Sequence, residues 1–208
     1  MIVDGLSWMA AGAWRTPRAA AAADLVLYFG ARAWMEDGRR FADLRALYPK
    51  ACLVGCSTGG RICAEDVEDG GMTGVAVTLE RSSIRFHSTT IDHPGQSRRR
   101  GLEIAQALRG DDLAGVLLLS DGLNVNGSEL VAGAADAIGL QVPISGGLAG
   151  DGPHFSRTLV GADQAPRPNV IAAVGFYGQA VRIGHGSAGG WSVFGPRRMI
   201  TNARDNVL

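Results

Sequence analysis

Short apolar runs along the chain alternate with stretches of helical periodicity. The run LVLYFGA, residues 25–31, is typical of a buried strand, and the stretch RRFADLRAL that follows predicts a helix. A second buried strand is predicted at ACLVGC, residues 51–56. Two buried strands joined by a helix form a β-α-β unit with parallel strands. The pattern therefore predicts an α/β protein.

The same order of elements recurs in the second half of the chain. VLLLSDG, residues 116–122, takes the place of the first strand, SELVAGAADAIG that of the helix and VPISGGLAGD that of the second strand. The offset is constant at 91 residues and places Gly146 on Gly55. A repeat held over three elements indicates an internal duplication.

Each unit is followed by two β runs separated by a short turn. GVAVTLERSSIRFHS and IAAVGFYGQAVRIGH therefore predict two antiparallel hairpins. The stretch PHFSRTLVGADQAPRPN predicts an extra strand and a loop. The stretch SRRRGLEIAQALRG predicts a helix that joins the halves, and its partly apolar face would carry Leu102, Ala105, Gln106 and Leu108.

Together these elements predict one α/β domain over residues 1–208. It would consist of pseudo-twofold halves, at about residues 24–92 and 113–190, with mixed parallel and antiparallel sheets flanked by helices. Two independent domains of about 90 residues are the alternative. The single domain is favoured because neither half alone covers both faces of its buried strands.

Composition and charge restrict the classes of function. The chain is 46% hydrophobic and 19% charged with a formal net charge of zero, so it can bury a core and has no basic field for nucleic acid. Its three cysteines match no zinc spacing, and an odd number does not favour a disulfide framework. No convincing signal peptide or membrane span is present. We therefore expect a cytoplasmic protein with neither a nucleic-acid nor a membrane partner.

Three glycine-rich segments are expected at the carboxyl ends of strands, where open α/β sheets bind ligands. They are GCSTGG, SDGLNVNGSEL and SGGLAGDG. The halves differ there, because one supplies a thiol and hydroxyls where the other has glycine and apolar residues. This difference predicts a pocket shared by diverged repeats. The candidate ligand-binding residues are Cys56, Ser57, Thr58, Asp121, Gly146, Gly147 and Asp151.

The residue types in these segments suit a small charged ligand. The amides of Gly146 and Gly147, together with the hydroxyls of GCSTGG, could hold a carboxylate. Asp121 or Asp151 could hold an ammonium group. The arrangement fits an amino acid, among other small metabolites.

Structural interpretations remain open for several of these residues. Asp121 could close an Asx turn, and Asn126 with Glu129 is typical of a helix N-cap. Cys56 could be a small buried side chain. GCSTGG as a whole could be a tight bend whose hydroxyls cap local backbone groups.

Catalysis by Cys56 or Ser57 would require a base within hydrogen-bond reach. Only His154 closely follows a strand-end segment. The other histidines lie near hairpin ends or in a linker: His87, His93 and His185. No GxSxG elbow, dinucleotide-binding motif or P-loop is present. A hydrolase is therefore a weaker hypothesis, and we predict no catalytic residue and no metal site.

The strand-end motifs resemble those of the FIST family, specifically the N-terminal FIST domain of bacterial sensory proteins. The similarity covers about residues 20–200 and rests on GCSTGG, on SDGLNVNGSEL and most specifically on VPISGGLAGDGPHFSRTLV followed by AGGW. The resemblance implies an intracellular input domain that binds a small ligand, suggested to include amino acids. It also implies signalling to a histidine kinase, a diguanylate cyclase or a chemoreceptor.

The resemblance carries two further implications. Some members of the family bind haem and sense nitric oxide, so a haem-based sensor is the alternative to a cofactor-free ligand sensor. The sequence has no CxxCH motif, and any haem would be held without a covalent bond. Members usually continue into a C-terminal FIST domain, which we expect this chain to lack.

Overall fold

The structure is a computed structural model that describes residues 1–9, 12–16, 22–63, 66–68, 70–184, 186, 192–197 and 199–202. These residues form the strands β1 (Ile2–Trp8), β2 (Leu25–Gly30), β3 (Cys52–Ser57), β4 (Arg61–Cys63), β5 (Asp66–Glu68), β6 (Met72–Thr78), β7 (Ser83–Thr90), β8 (Leu113–Ser120), β9 (Ile144–Leu148), β10 (Val160–Ala162) and β11 (Val170–Tyr177). They also form the helices α1 (Arg39–Leu47), α2 (Ser97–Leu108) and α3 (Gly127–Ile138). Both predicted β-α-β units, the joining helix and the extra strand are confirmed.

The strands form two larger sheets and one small ladder. The first sheet has the order β1-β6-β2-β3-β10, in which β2 and β3 pair in parallel and the other pairs are antiparallel. The second has the order β7-β11-β8-β9, with a parallel pair between β8 and β9. Strands β4 and β5 pair only with each other. Mixed sheets with flanking helices confirm the α/β class.

The two sheets pack face to face between layers of helices. Apolar side chains of both sheets, such as Val54 and Val174, fill the space between them. The outer face of the first sheet is covered by α1 through Leu44. The outer face of the second is covered by α2 and α3 through Ile104 and Leu130. Because the central strands are buried on both faces, their sequences are continuously apolar.

Gly55, where the apolar run ACLVGC is interrupted, makes room for a tyrosine rather than for a turn. It lies within β3, and a Cβ there would overlap the carbonyl oxygen of Tyr28 and approach its ring to 2.7 Å. Gly161, opposite Gly55 in β10, would overlap the Tyr28 hydroxyl in the same way. The buried tyrosine ring thus lies across two glycines on neighbouring strands.

Helices α2 and α3 also approach closely through glycines. A Cβ on Gly101 would overlap the carbonyl oxygen of Leu130, and one on Gly133 would overlap that of Arg98. The face predicted for α2 is therefore partly wrong. Ala105 and Leu108 are buried, but Leu102 is half-buried and Gln106 is exposed, whereas Gly101 and Ile104 point inward.

The two predicted hairpins are wrong. Strand β6 pairs with β1 and β2 in the first sheet, whereas β7 pairs with β11 in the second, so the short turn between β6 and β7 passes the chain from one sheet to the other. Residues 181–184, which follow β11, form no strand. The sequence analysis misses β1, and β1 takes the place beside β6 that a hairpin partner would occupy.

The order and direction of the strands nevertheless recur in the two sheets. The sequence β6-β2-β3 in the first sheet corresponds to β11-β8-β9 in the second. The register differs by one residue: Tyr28 pairs with Gly55, but Gly146 pairs with Leu118 rather than with Leu119, which the constant offset requires. The internal duplication stays a prediction.

Candidate functional site

Strands β2 and β3 end side by side and open into a shared space. Gly30 pairs with Ser57, the last residue of β3, and the amide of Thr58 donates to the carbonyl of Gly30 at 2.9 Å. The loop of residues 149–158 lies directly against this end of the sheet, because a Cβ on Gly150 would come within 2.9 Å of the Gly59 nitrogen. Two of the predicted segments, GCSTGG and SGGLAGDG, therefore meet at the carboxyl ends of parallel strands, a common place for ligands.

Ser57 connects these two segments. Its hydroxyl donates to the carbonyl of Gly150 at 2.7 Å and accepts the amide of Leu159 at 2.9 Å. Its own amide donates to the carbonyl of Leu159, and its carbonyl accepts the amide of Gly150. Ser57 is completely buried. All its polar atoms are used in holding the loop, and Ser57 is a structural residue rather than a ligand contact.

A cavity of about 280 Å³ lies beyond Ser57, between the loops. It is lined by Ala31, Arg32, Ala33, Thr58, Gly59, Asp151, Gly152, Pro153 and His154. Arg32 belongs to a short 3-10 helix, Arg32–Trp34, that begins directly after β2. Two of the seven predicted residues, Thr58 and Asp151, thus line this cavity, which we call the β2–β3 cavity.

One residue of the cavity lining, Thr58, carries a buried side-chain oxygen without a hydrogen-bond partner among the described residues. An unpaired buried hydroxyl costs about 1–3 kcal/mol, and native proteins contain few of them. The amides of Gly59 and Gly152, which also line the cavity, have no protein partner in the described part of the chain either. The cavity therefore offers donors and an acceptor that the protein itself does not use.

Asp151 forms the charged wall of the cavity and is held rigidly. Its Oδ2 accepts the amides of Ser156 and Arg157 and the Ser156 hydroxyl, each at 3.0 Å. Its Oδ1 lies 2.8 Å from Nε of Arg32. Burial tends to raise the pKa of this carboxyl, but these hydrogen bonds and the Arg32 charge outweigh it and lower the pKa below its ordinary value.

Arg32 crosses from the end of β2 to the opposite loop. Besides Asp151, its guanidinium contacts Glu36 through Nη1 at 3.2 Å. The side chain is 27% exposed, so part of the fork remains open to the cavity and to solvent. A guanidinium fixed by a buried carboxylate is a pre-organised donor for an anionic group.

Asp121 lies outside this cavity, contrary to the sequence analysis. Its Oδ1 accepts the amides of Leu123 and Asn124, and its Oδ2 accepts the Thr158 hydroxyl and the amide of Asn169. The residue is 1% exposed. Asp121 closes an Asx turn, the structural interpretation that the sequence left open beside ligand binding. Its two carboxylate oxygens accept two hydrogen bonds each and are not available to a ligand.

Gly146 and Gly147 are also absent from the lining of the β2–β3 cavity. Both lie within β9, where a Cβ on Gly146 would overlap the Leu118 carbonyl oxygen. They border a mostly apolar cavity of about 240 Å³ between β9 and α3. The strand continues through these glycines instead of ending before them, so their amides do not face GCSTGG.

Cys56 points into the space between the sheets. It is buried among Val54, Val160 and other apolar side chains, and this burial raises the pKa of its thiol to about 12. A thiol with such a pKa stays protonated near neutral pH. Cys56 is therefore a small buried side chain, which is the structural interpretation that the sequence left open.

The helix N-cap predicted at Asn126 is confirmed, because its side chain accepts the Glu129 amide.

The haem alternative stays a prediction. The three histidines with described side chains, His87, His93 and His154, are exposed and lie on separate elements. Of these, His154 borders the β2–β3 cavity. His185 lies outside the described residues. No group of three potential metal ligands occurs among the described residues.

A comparison with protein-family models matches the chain to the FIST N domain over residues 24–208. The chain belongs to the FIST N domain family. A search among curated proteins gives no match. The FIST N match spans both halves of the predicted repeat and all residues of the β2–β3 cavity. Within the described ranges of this FIST N chain, no helix has the length and apolarity that crossing a membrane requires.

Seven of the nine lining residues are not among the predicted ligand-binding residues, and they include Arg32, Gly59 and Gly152. Gly59 and Gly152 lie within the segments GCSTGG and SGGLAGDG. Arg32 follows the strand LVLYFGA directly. Strands β2 and β3 pair in parallel, so the carboxyl end of β2 is as typical a place for a ligand as that of β3. Applying the strand-end rule to every parallel strand would have identified GARAW as a fourth segment.

Proposed function

We propose that this FIST N domain is a ligand-binding sensory input domain and that its ligand binds in the β2–β3 cavity. The family supports a role in signal transduction. The observation that carries the proposal is the buried hydroxyl of Thr58, which has no partner among the described residues and belongs to a residue that lines a cavity at the carboxyl ends of two parallel strands. A ligand that accepts from or donates to this hydroxyl would remove the cost of leaving it unpaired.

The polar groups of the cavity suit a small molecule with an acidic group. The open part of the Arg32 guanidinium and the unpaired amides of Gly59 and Gly152 would bind a carboxylate or a phosphate. Among the described residues, Asp151 Oδ1 accepts from Arg32 alone, and it could accept an ammonium as well. A volume of about 280 Å³ is at the small end of ligand pockets, which favours a metabolite the size of an amino acid.

A thermal-shift measurement with the twenty amino acids and short carboxylates at millimolar concentration tests this proposal. A ligand at 100 times its Kd should stabilise the protein by about 2.7 kcal/mol. If none of these compounds raises the melting temperature, the amino-acid assignment is wrong for this chain.

Two variants locate the binding. Arg32→Gln should weaken binding of the active compound by about tenfold or more, because one charge-assisted contact is lost. Arg39→Gln is the matched control, since the Arg39 side chain is 76% exposed and lies outside the cavity. Thr58→Val should also weaken binding, whereas Thr90→Val, an exposed threonine of β7, should not. Equal binding by all four variants would place the ligand elsewhere.

We further propose that the domain is not catalytic. A nucleophile needs an available proton acceptor, but burial keeps the Cys56 thiol protonated, and the Ser57 hydroxyl donates to the Gly150 carbonyl. A purified protein that hydrolyses ester or amide substrates, and loses that activity in Cys56→Ala or Ser57→Ala, would contradict this part of the proposal.

A further inference from the structure

A second cavity lies between the two sheets, at the other end of β2 from the β2–β3 cavity. Its volume is about 390 Å³. Both sheets contribute to its walls, chiefly through Leu25, Leu27, Val77, Val116, Leu117 and Phe176. Strands β2 and β8 supply four of these residues. We call this space the inter-sheet cavity.

The described residues leave the inter-sheet cavity unfilled, which is unusual for apolar space between two packed sheets. Protein interiors pack as densely as organic crystals and contain few voids larger than a water molecule. At the opposite end of the same strands, the space between the sheets is filled by buried side chains such as Cys56 and Leu119. At this end Leu27, Val77, Leu117 and Phe176 are only partly buried. Apolar space of this kind binds apolar molecules in preference to water.

The opening of the cavity is cationic. Residues 181–184 cross it with Val181 and Ile183 half-buried and Arg182 exposed. A recess of about 220 Å³ adjoins it, shares Met1, Leu79, Val181 and Arg182 with it, and adds Arg81. Neither Arg81 nor Arg182 has an ion-pair partner among the described residues. Glu80 borders the same recess, but its carboxylate lies 2.7 Å from the ammonium group of Met1.

We propose that the inter-sheet cavity binds an amphiphile with an aliphatic chain and an anionic head. The chain lies between the sheets against the leucine, valine and phenylalanine side chains. The head lies at the opening, where Arg182 and Arg81 supply the complementary charge. The site is separate from the β2–β3 cavity, with which it shares no lining residue.

Titration calorimetry with three probes below their micelle concentrations tests the chemistry of the site. Dodecanoate should bind, and dodecyltrimethylammonium, which has the same chain and the opposite charge, should bind about tenfold more weakly or worse. Acetate, which has the head without the chain, should not bind. Absence of dodecanoate binding overturns the proposal. Equal binding of both long-chain probes overturns the role of the arginines.

Variants test the location. Val77→Phe fills the cavity and should reduce dodecanoate affinity by about tenfold or more. The same change at Val193, which is 84% exposed and outside the cavity, should have no effect. If Val77→Phe does not fold, as judged by circular dichroism, Val181→Phe at the opening replaces it. Unchanged affinity in the filled variant places the amphiphile elsewhere and overturns the proposal.

A double variant tests the charge. Arg81→Gln with Arg182→Gln should lower the affinity for dodecanoate and abolish the preference over dodecyltrimethylammonium. Arg109→Gln, an exposed arginine after α2 that borders neither space, is the matched control. A preference that survives in the double variant contradicts the assignment of the head group to this opening.

Discussion

The carboxyl ends of the two parallel strand pairs both carry polar residues but have opposite states of hydrogen bonding. At the end of β8, the Asp121 side chain accepts four hydrogen bonds, and a Cβ on Gly122 would overlap the Ala149 carbonyl oxygen. At the end of β2 and β3, a cavity remains and the Thr58 hydroxyl has no partner among the described residues. One strand end is closed by the protein itself, and the other is left open.

This difference shows what separates a structural polar residue from a binding residue at a strand end. The residue type does not distinguish the two roles, since Asp121, Ser57 and Thr58 are all polar and all follow apolar runs. The number of unused hydrogen-bonding positions distinguishes them, because a buried polar group without a partner costs free energy until something binds it. Four variants test the comparison, and the losses of stability expected from them decrease in the order given.

Asp121→Ala should have the largest effect. It would leave the Thr158 hydroxyl and three backbone amides without their acceptor in a buried place. We expect a loss of about 3 to 5 kcal/mol in the free energy of unfolding, measured by urea denaturation. Asp92→Ala, at an exposed aspartate, is the control. A loss below about 1 kcal/mol would mean that the end of β8 is not closed by Asp121.

Ser57→Ala should come next. The Leu159 amide would lose its side-chain acceptor and the Gly150 carbonyl one of its donors, and we expect a loss of about 2 kcal/mol. Amide hydrogen exchange should increase in residues 149–159, because Ser57 holds this loop against β3. Amide hydrogen exchange that increases only in distant strands would contradict the role of Ser57 in holding this loop.

The fold that gives Asp121, Ser57 and Thr58 their different roles can be predicted only in part from the sequence. Apolar runs and helical periodicity predict the β-α-β units, because burial on both faces leaves a clear pattern. The pattern does not reveal that β6 and β7 enter different sheets, since β6 pairs with β1, whose sequence IVDGLSW is only partly buried and has no continuous apolar run. It also does not show that Gly55 accommodates Tyr28, which precedes it by a whole helix.

The sequence predicts which strand-end segments meet, whereas the ligand site itself stays a prediction. The strand-end rule brings GCSTGG and SGGLAGDG together, as observed. It cannot tell which of Ser57 and Thr58 bonds to the backbone, because neighbouring residues at a strand end point in opposite directions. The ion pair between Arg32 and Asp151 joins residues far apart in the chain, and no local pattern marks it.

Asp151→Asn should lower stability at neutral pH and flatten the decline of stability in acid by a similar amount. The hydrogen bonds and Arg32 hold the Asp151 pKa below its ordinary value of 3.8. The stabilisation is therefore complete above about pH 4 and is lost as the pH falls through the lowered pKa of the folded state. Denaturation between pH 2 and pH 7 should show a shallower acid decline in the variant. Asp37→Asn, at an exposed position, should leave the decline unchanged.

Thr58→Val should cost the least stability of the four in the unliganded protein, and it separates the open strand end from the closed one most directly. Valine has nearly the same shape and lacks the hydroxyl, so replacing a buried oxygen without a partner should leave the free energy of unfolding unchanged or raise it by up to about 1–3 kcal/mol. The adjacent Ser57→Ala variant removes a hydroxyl from the same loop and should instead lower the free energy of unfolding. Urea denaturation of both variants without ligand makes the comparison, with Thr90→Val as the exposed control. If Thr58→Val costs as much as Ser57→Ala, the Thr58 hydroxyl is bound within the protein or to fixed water, and the end of β2 and β3 is closed like the end of β8.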